Sequence, residues 1–448
     1  MSTKKLKIHF IGIGGIGVSA LARYYLEKGA KVTGSDLVSS EITEALKKMG
    51  AKIFIGPHLA RNVLAHTDLV VYSPAVPRDN PELEGAKKLR IKCQSYPEAL
   101  GELTKKYFTI AVSGTHGKST TTAMIGLLLT KAGFDPTVIV GTKVKEFGNS
   151  NYRAGKSKYL VIEACEYDES FLNYYPNIIV ITNIEAEHLD YFKTFNNVLK
   201  AFKKFVKKLP KDGILIVDEA KASSPRFARL RLARVNEKKY KKTEKDAVKL
   251  RRVLKVLGEH NISNALSALA VARALKIPDK VSCQALSEYK GSWRRFEIIK
   301  ILSPKPYTLI SDYGHHPTQI KATLQAARDK WPDREIWCVF QPHQYQRTFY
   351  LFKDFVKVFR QAPVDKLIIT DIYDVAGREE KEIKKKVNSE KLVKAINKNW
   401  VTYLPKKEII NYLKKNLRGG EMVVVMGAGD IYNLVTNLTE KRRRKKID

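Results

Sequence analysis

Residues 110–122 read IAVSGTHGKSTTT, and this short stretch decides the fold of the region around it. An apolar run predicts a strand that ends near Gly114, and an apolar helix-forming run begins after Gly117. A strand, a glycine turn and a helix in this order form a phosphate-binding loop. We therefore expect Lys118 to reach the outer phosphates of a nucleotide, and Ser119 to offer its hydroxyl to Mg²⁺.

The loop departs from its usual form at one position. Its opening glycine is missing, because Val112 and Ser113 stand five and four residues before Gly117. The alternative to a phosphate loop is a turn whose lysine is solvated. The strand before the turn and the apolar helix after it favour the phosphate loop.

The alternation of apolar runs with helical stretches extends on both sides of this loop. It restarts twice, which predicts three consecutive domains over residues 1–104, 105–300 and 301–448. We predict the α/β class, with a Rossmann-like N-terminal domain, a central ATPase domain of the phosphate-loop type and a Rossmann-like C-terminal domain. Ligands are expected at the carboxyl ends of the strands. Residues 218–257 are charged and weakly periodic, and they predict no element.

Length and composition are those of a multi-domain protein with ordinary cores. The chain has 448 residues, of which 44% are hydrophobic. Its 81 lysines and arginines exceed its 46 acidic residues, which gives a net charge of +35. Such a charge suits a nucleic-acid partner, but most lysines lie at scattered helical positions. Solvated faces are therefore favoured and no specific nucleic acid is expected, although a weak polyanion contact of the basic tail at 440–448 stays open.

Several signals indicate a protein of the cytoplasm. No apolar run approaches the roughly 18 residues of a membrane span, so no membrane contact is expected. The N-terminus lacks the apolar stretch and the cleavage site of a signal peptide. The four cysteines are far apart and form no CxxC pair, which favours a reducing compartment over a disulfide frame or a zinc site. The oligomeric state is open between a monomer and a homodimer.

A second glycine-rich turn lies near the N-terminus, where residues 12–17 read GIGGIG. It follows an apolar run and opens a helical stretch, and Asp36 stands 19 residues after Gly17. Glycines there let the backbone approach a pyrophosphate, and an acid at about this spacing meets a ribose. NAD and a UDP-sugar both carry a pyrophosphate, so an NAD-dependent dehydrogenase is one candidate.

Polar residues follow strands of the central domain on the side of Lys118. Glu163 ends one strand and His188 follows another, and a carboxylate there can hold Mg²⁺ that bridges phosphates. Composition cannot choose among the neighbouring acids Glu166, Asp168, Glu169, Glu185 and Glu187. His260 and Asn264 stand four residues apart on one helical face, where an amide could read a base edge.

Two loops of the third domain are rich in histidine, tyrosine and arginine. They read SDYGHHPTQ at 311–319 and FQPHQYQRT at 340–348, and each follows a strand. Such clusters on strand-end loops bind ligands more often than they support the fold. Arg347 could pair with a carboxylate.

Taken together, these stretches resemble the Mur ligase family over nearly the whole chain. The resemblance rests on stretches that stand in the family's order: HFIGIGGIGVSALA, SGTHGKSTTT, EACEYDESFL, ITNIEAEHLDYF, GEHNISNALSALAVA, RRFE, SDYGHHPT, FQPHQYQRT and MGAGDI. It implies that ATP activates the lactyl carboxylate of UDP-N-acetylmuramate as an acyl phosphate, to which the amine of L-alanine adds. ATP and Mg²⁺ are the implied cofactors, and the three domains would bind the UDP-sugar, ATP and the amino acid in turn.

The resemblance also implies roles for individual residues. The implied contacts to the UDP-sugar are Gly12, Gly14, Gly15, Gly17, Ser35, Asp36, Ser73 and Asn151. The implied contacts to ATP are Gly114, Thr115, Gly117, Lys118, Ser119, Thr120, His260, Asn264, Arg295 and Asp312. Mg²⁺ would bind Ser119, Glu163 and His188, and the amino acid would lie among Tyr313, His315, His343 and Arg347. Catalysis would depend on Lys118, Glu163, His188 and Arg295.

Three departures from the family pattern and three rival functions stay open. Gln344 stands where the family has an arginine, Cys165 interrupts the usual EADES stretch, and the segment before His260 is short. A related recycling ligase adds a preformed tripeptide to the same sugar nucleotide. An NAD-dependent dehydrogenase would leave the phosphate loop without a role, and a nucleic-acid-stimulated ATPase would leave the first glycine turn without one.

Overall fold

The computed structural model describes residues 5–218, 236–240, 244–301, 305–375 and 380–440. Three sheets follow one another along the chain, and helices connect their strands, so the predicted α/β class is confirmed. The basic tail after residue 440 lies outside the described residues. So do residues 219–235 and 241–243 of the short segment before His260.

The first sheet is parallel throughout, with the strand order β3-β2-β1-β4-β5. Its strands are β1 (Lys7–Ile11), β2 (Lys31–Asp36), β3 (Lys52–Ile55), β4 (Leu69–Tyr72) and β5 (Lys92–Ser95). Its helices are α1 (Ile16–Glu27), α2 (Glu41–Lys48), α3 (Pro81–Lys88) and α4 (Tyr96–Thr104), with a 3₁₀ turn at Ala60–Asn62. The order reverses between β1 and β4, and such a switch point is where ligands bind in open α/β sheets.

The second sheet has the order β12-β11-β10-β6-β9-β7-β8, in which β7 and β8 pair antiparallel. Its strands are β6 (Phe108–Ser113), β7 (Thr137–Val144), β8 (Ser150–Arg153), β9 (Tyr159–Glu163), β10 (Ile178–Ile181), β11 (Ile214–Asp218) and β12 (Asn236–Tyr240). The helices in this part of the chain are α5 (Lys118–Lys131), α6 (Leu189–Phe192), α7 (Phe195–Val206), α8 (Glu244–Val253), α9 (Glu259–Ala274) and α10 (Asp279–Glu288), with 3₁₀ turns at Lys145–Phe147 and Tyr167–Asn173. Helix α5 is apolar on most sides and is buried from Ser119 to Leu129, as its sequence predicts.

The third sheet has the order β13-β14-β18-β15-β16-β17, in which β13 and β14 pair antiparallel. Its strands are β13 (Glu297–Ile301), β14 (Tyr307–Asp312), β15 (Ile336–Phe340), β16 (Lys366–Ile369), β17 (Val401–Tyr403) and β18 (Met422–Met426). Its helices are α11 (Pro317–Lys330), α12 (Tyr345–Tyr350), α13 (Phe352–Arg360), α14 (Lys381–Lys386), α15 (Ser389–Ile396), α16 (Lys406–Asn416) and α17 (Tyr432–Glu440). Two apolar clusters, one with Phe340 and Phe355 and one with Trp337 and Ile409, form its core.

The chain divides into two compact units. The first comprises residues 1–187, 194–255 and 262–290, and the second comprises 188–193, 256–261 and 291–448. The first two sheets belong to the first unit and the third sheet to the second. The predicted boundaries after residues 104 and 300 stay predictions, although strand β13 of the third sheet already begins at Glu297. Among the described residues, no helix combines the length and apolarity that a membrane crossing needs.

Candidate functional site

The first glycine turn leaves the end of β1 at the switch point of the first sheet. The N–H groups of Gly12 and Ile13 both donate to the backbone oxygen of Ser35, over 2.9 and 3.0 Å. Gly12 has a φ of +74°, and a Cβ atom there would lie 3.1 Å from the Cβ of Ser73. The turn is therefore tied to β2 on one side and approaches the residue after β4 on the other.

Asp36 ends β2 and turns its carboxylate towards the same glycine turn. Its Oδ2 accepts the N–H of Gly14 over 2.8 Å, and a Cβ atom at Gly14 would lie 2.8 Å from that oxygen. One backbone N–H group of the turn, that of Gly14, is thus already engaged in a hydrogen bond to Asp36. A ribose partner at this position remains a prediction, but the carboxylate is already positioned by the turn it would serve.

Asn151 and Tyr96 connect this turn with the central domain inside the first unit. The amide of Asn151 donates to the backbone oxygen of Ile16 and to the hydroxyl of Ser19, so it binds the first turn of α1. A Cβ atom at Gly17 would lie 2.9 Å from the ring of Tyr96, so glycine is required there for close approach. Burial raises the pKa of Tyr96, and the nearby charges of Glu163 and Cys165 act in the same direction. Tyr96 could not be selected by sequence reasoning, because its partners are remote along the chain.

Lys118 lies inside the second loop and is held by three acceptors. Its ammonium donates to the backbone oxygens of Gly114 and Thr115, over 2.6 and 3.2 Å, and to the Glu166 carboxylate over 3.0 Å. Burial lowers the pKa of Lys118, but Glu166, through its charge and its hydrogen bond, together with the nearby Cys165 and Glu163, outweighs burial, so the pKa is raised overall. Glu166, one of the acids that composition left open as a ligand of Mg²⁺, is thus the partner of Lys118.

Close contacts fix the two glycines of this loop. Gly114 has a φ of +131° and Gly117 a φ of +83°. A Cβ atom added at Gly114 would lie 2.2 Å from the hydroxyl of Thr182. A Cβ atom added at Gly117 would lie 2.3 Å from Oδ1 of Asn264. Any larger residue would therefore clash as well as strain the backbone. Asn264, which we expected to face the adenine, lies against the loop.

Further polar contacts anchor the loop between β6 and β10. The hydroxyl of Thr115 accepts the N–H of Glu185 over 2.9 Å, and Asn183 accepts the N–H of His116 over 2.8 Å. Ser119 and Thr120 are buried in the first turn of α5. The local geometry that the sequence predicts for a phosphate loop, with its lysine, hydroxyls and left-handed glycines, is present.

The residues predicted to hold Mg²⁺ are divided between the two units. Ser119 and Glu163 belong to the first unit and His188 to the second. Glu163 accepts the N–H of Gly141 over 2.9 Å, so one carboxylate oxygen is oriented by the backbone of β7. A hydroxyl and a carboxylate are the oxygen donors that Mg²⁺ takes, so these two residues fit the ion. The three-residue set stays a prediction.

Asp312 ends β14 in the second unit and is held by two backbone groups. Its Oδ1 accepts the N–H of Gly314 over 2.7 Å and its Oδ2 that of Phe296 over 2.8 Å. Burial lowers the pKa of His260, Asp312 opposes this shift, and Arg295 adds to it. Three predicted ATP contacts, His260, Arg295 and Asp312, are therefore close enough to interact within the second unit.

Tyr313 follows Asp312 and lies between two arginines. The guanidinium carbons of Arg294 and Arg295 are both 4.9 Å from the centre of its ring. Its N–H donates to the backbone oxygen of Arg294 over 2.7 Å. The aromatic face is favourable for both cations, so the ring holds neighbouring guanidinium groups close together.

His343 has a defined tautomer because of its neighbour Arg347. Nη1 of Arg347 lies 3.0 Å from Nδ1 of His343, and a guanidinium only donates hydrogen bonds. Nδ1 must therefore accept, and the ring proton lies on Nε2. The ring of His315 is centred 5.8 Å from that of His343, and Tyr373 stacks on His343 at 5.4 Å. The predicted amino-acid residues thus assemble at the ends of β14 and β15, and Tyr373, which follows β16, joins them without having been predicted.

Known protein families match this chain in three successive segments, in the order of its three sheets. Three family models match in succession: the Mur ligase catalytic domain at residues 7–108, the Mur ligase middle domain at 112–272 and the Mur ligase glutamate ligase domain at 294–429. The chain belongs to the Mur ligase family. The predicted family and its three α/β domains are confirmed.

Relatives match over nearly their full lengths. The UDP-N-acetylmuramate–L-alanine ligase of Clostridium acetobutylicum is 43% identical, over 96% of this chain and 96% of the relative. The ligase of the same name from Acetivibrio thermocellus is 42% identical, over 95% and 94%. The crystal structure of UDP-N-acetylmuramate-alanine ligase MurC from Thermotoga maritima aligns with a TM-score of 0.79 at 28% identity, over 98% of this chain and all of that one. A murein peptide ligase from Psychrobacter arcticus shares the fold, with a TM-score of 0.72 at 23% identity over 97% and 98% of the two chains.

Proposed function

We propose that this protein uses ATP to join L-alanine to the lactyl carboxylate of UDP-N-acetylmuramate, with release of ADP and phosphate. The observation that carries the proposal is the presence, in one compact unit, of two nucleotide-type glycine loops, at Gly12–Gly17 and Gly114–Gly117. One loop suits the pyrophosphate of a sugar nucleotide and the other the phosphates of ATP. The names of the 40–43% identical relatives support this assignment of substrates.

The phosphate loop activates the carboxylate. A carboxylate does not react with an amine at neutral pH, so ATP converts it to an acyl phosphate whose phosphate then leaves. Phosphoryl transfer depends on positioning and on neutralisation of charge. Lys118 supplies a cation at the loop, and Arg295 with Asp312 and His260 forms the ATP-facing group of the second unit. His260 and Asn264 stay the predicted adenine contacts, although Asn264 lies against the phosphate loop in the structure.

Mg²⁺ fits next to the same loop. Ser119 and Glu163 would hold the ion, with His188 as the third ligand, and it would neutralise phosphate charge when bound. The hydroxyl of Ser119 is buried at the start of α5, and the carboxylate of Glu163 is oriented by Gly141. These two side chains are therefore positioned before any ligand binds.

The alanine site lies among Tyr313, His315, His343 and Arg347. Because Nδ1 of His343 accepts a hydrogen bond from Arg347, its Nε2 carries the proton and can donate to a carboxylate. In this state His343 cannot take the proton of the incoming amine. His343 is thus proposed to orient the carboxylate of alanine, and the base is His188 or water. Gln344 leaves the arginine position of the family without a charge, so Arg347 is the cation for that carboxylate.

The cellular role follows from the substrates. Ligation of the first amino acid to UDP-N-acetylmuramate is a step in peptidoglycan precursor synthesis, and it takes place where nucleotides are available, in the cytoplasm. No nucleic acid or membrane enters the proposed reaction, which requires only the two substrates, ATP and Mg²⁺.

A single phosphate-release assay tests the function. The purified protein is given ATP, Mg²⁺ and UDP-N-acetylmuramate, with L-alanine or with the tripeptide as the amine donor. We expect phosphate release that needs both the sugar nucleotide and L-alanine. Faster turnover with the tripeptide would support the recycling ligase instead. Parallel reactions contain added DNA or RNA, or added NAD. ATP turnover that depends on the nucleic acid, or an absorbance change of NAD without phosphate release, would overturn the proposal.

A further inference from the structure

A buried carboxylate lies beneath the first glycine turn, and the proposed reaction gives it no role. Glu82, on α3, is completely buried, and its Oε2 accepts the hydroxyl of Ser35 over 2.6 Å and lies 3.0 Å from Nε2 of His9. Its Oε1 accepts the amide of Asn62 over 2.7 Å and lies 3.3 Å from Nδ1 of His58. Four side chains from remote parts of the first domain thus converge on one carboxylate.

These contacts fix the protons of both histidines. A carboxylate oxygen only accepts, so Nε2 of His9 and Nδ1 of His58 must each carry hydrogen. Nδ1 of His9 lies 2.8 Å from the hydroxyl of Thr33, which can accept a hydrogen bond from it or donate one to it. Burial alone would raise the pKa of Glu82, but the hydrogen bonds from His9, Ser35 and Asn62 lower it to about 2. Glu82 is therefore an anion whose lone pairs are satisfied on both oxygens.

Among the predicted UDP-sugar contacts in the described part of the chain, only Ser35 connects the Glu82 carboxylate to the glycine turn. The hydroxyl of Ser35 donates to Glu82, while its backbone oxygen accepts the N–H groups of Gly12 and Ile13. Ser35 is buried, and its hydroxyl is directed at Glu82. The residue after it, Asp36, holds the N–H of Gly14. A shift of Ser35 would therefore move three of the backbone groups that shape the turn.

We propose that Glu82 is a positioning residue for the sugar nucleotide, which acts through Ser35 to fix the geometry of the Gly12–Gly17 turn. The hydrogen bonds that stabilise the buried carboxylate also tie it to Ser35 at the end of β2. Its four hydrogen-bonded partners hold the end of β2 in one position, as preorganisation of a binding loop requires. This inference rests on the proposed function, because it assumes that the turn binds UDP-N-acetylmuramate.

The test is calorimetric titration of the full-length Glu82→Gln variant with UDP-N-acetylmuramate and, separately, with ATP and Mg²⁺. Glutamine keeps the shape but offers fewer lone pairs, so one donor of the cluster loses its acceptor. We expect the Kd for the sugar nucleotide to rise about tenfold, since hydrogen bonds to charged groups are the strong ones. The Kd for ATP should change less than about twofold.

A matched control separates positioning from loss of stability. Asn80 caps the same helix by accepting the N–H groups of Glu82 and Leu83, so Asn80→Ala weakens α3 without removing the carboxylate. We expect a lower Tm in this variant, with a normal Kd for UDP-N-acetylmuramate. An equal loss of sugar-nucleotide affinity in Asn80→Ala, at a similar Tm, would overturn the proposal, as would unchanged affinity in Glu82→Gln.

A double-mutant cycle tests the route through Ser35. If Glu82 acts through Ser35, the double variant should bind the sugar nucleotide no more weakly than either single variant. Ser35→Ala alone, Glu82→Gln alone and the two together should therefore each weaken binding by the same factor. Fully additive effects would contradict the route. A wild-type protein that binds ATP but not UDP-N-acetylmuramate would instead refute the proposed function, which keeps the two failures distinguishable.

Discussion

The ammonium of Lys118 lies 3.0 Å from the carboxylate of Glu166, and both side chains are largely shielded from water. Lys118 also donates to two backbone oxygens of its own loop. To contact the phosphates of ATP, the ammonium has to exchange its present partners for phosphate oxygens. The pair thus keeps the cation charged and close to the loop before the nucleotide arrives.

Replacing Lys118 by alanine should abolish ligation. The variant loses the cation that faces the transferred phosphate, while the Gly12–Gly17 turn lies elsewhere in the first unit. We expect turnover to fall by at least about a thousandfold, with sugar-nucleotide binding retained. Phosphate release and titration with UDP-N-acetylmuramate measure the two effects. Near-normal turnover would refute the phosphate-loop assignment.

Replacing Glu166 by glutamine should destabilise the central domain. It removes the nearest counter-charge of the buried Lys118 ammonium, and breaking one side of such a pair costs about 3–5 kcal/mol. The double variant Lys118→Met with Glu166→Gln removes both charges, so it should be more stable than the single variant. Tm values of the three proteins give the comparison. A single variant as stable as the wild type would show that the pair contributes nothing.

Replacing Gly117 by alanine should prevent ATP binding, and Gly133 provides the control. Both glycines have a left-handed φ, +83° at Gly117 and +79° at Gly133, so alanine costs about 1 kcal/mol of strain at either. Only at Gly117 does the new Cβ clash, since it would lie 2.3 Å from Asn264 whereas nothing lies within 4 Å at Gly133. Titration with ATP should show loss of binding in Gly117→Ala alone. Equal ATP affinities in both variants would count against the contact with Asn264.

The sequence predicts the local parts of this architecture well, because each part depends on neighbouring residues. The turn at Gly12–Gly17 and the loop at Gly114–Gly117 are read from a strand, glycines and a helix that follow directly. The pairing of Lys118 with Glu166 was not predicted, because Glu166 is 48 residues away and was considered only as one of several acids near the Mg²⁺ site. The cluster around Glu82 was not anticipated at all. His9 is 73 residues from Glu82, and only the packing of α3 on the first sheet brings them together.

Replacing His343 by alanine should weaken binding of alanine more than binding of ATP. The imidazole Nε2–H is expected to donate to the carboxylate of the amino acid, and Arg347 loses the ring nitrogen to which it now donates. We expect the KM for L-alanine to rise at least about tenfold, with a KM for ATP within about twofold of the wild-type value. Steady-state assays with each substrate varied in turn distinguish the two. A larger effect on ATP would contradict the proposed alanine site.

Acid should remove the contribution of Glu82 to stability. Its pKa is about 2 in the folded protein, below the 4.5 of an unperturbed glutamate, since the hydrogen bonds it accepts outweigh its burial. The ionised carboxylate therefore stabilises the fold above about pH 4.5, and this contribution is lost as the pH falls from there towards 2. The groups that face it are His9, Ser35, His58 and Asn62. Comparison of wild type with Glu82→Gln at pH 7 should show a deficit in the variant of about 3 kcal/mol. Tm measurements between pH 7 and pH 3 should show the gap closing as the pH falls, and a gap that stays constant would mean that the wild-type carboxylate is not the ionised, stabilising group.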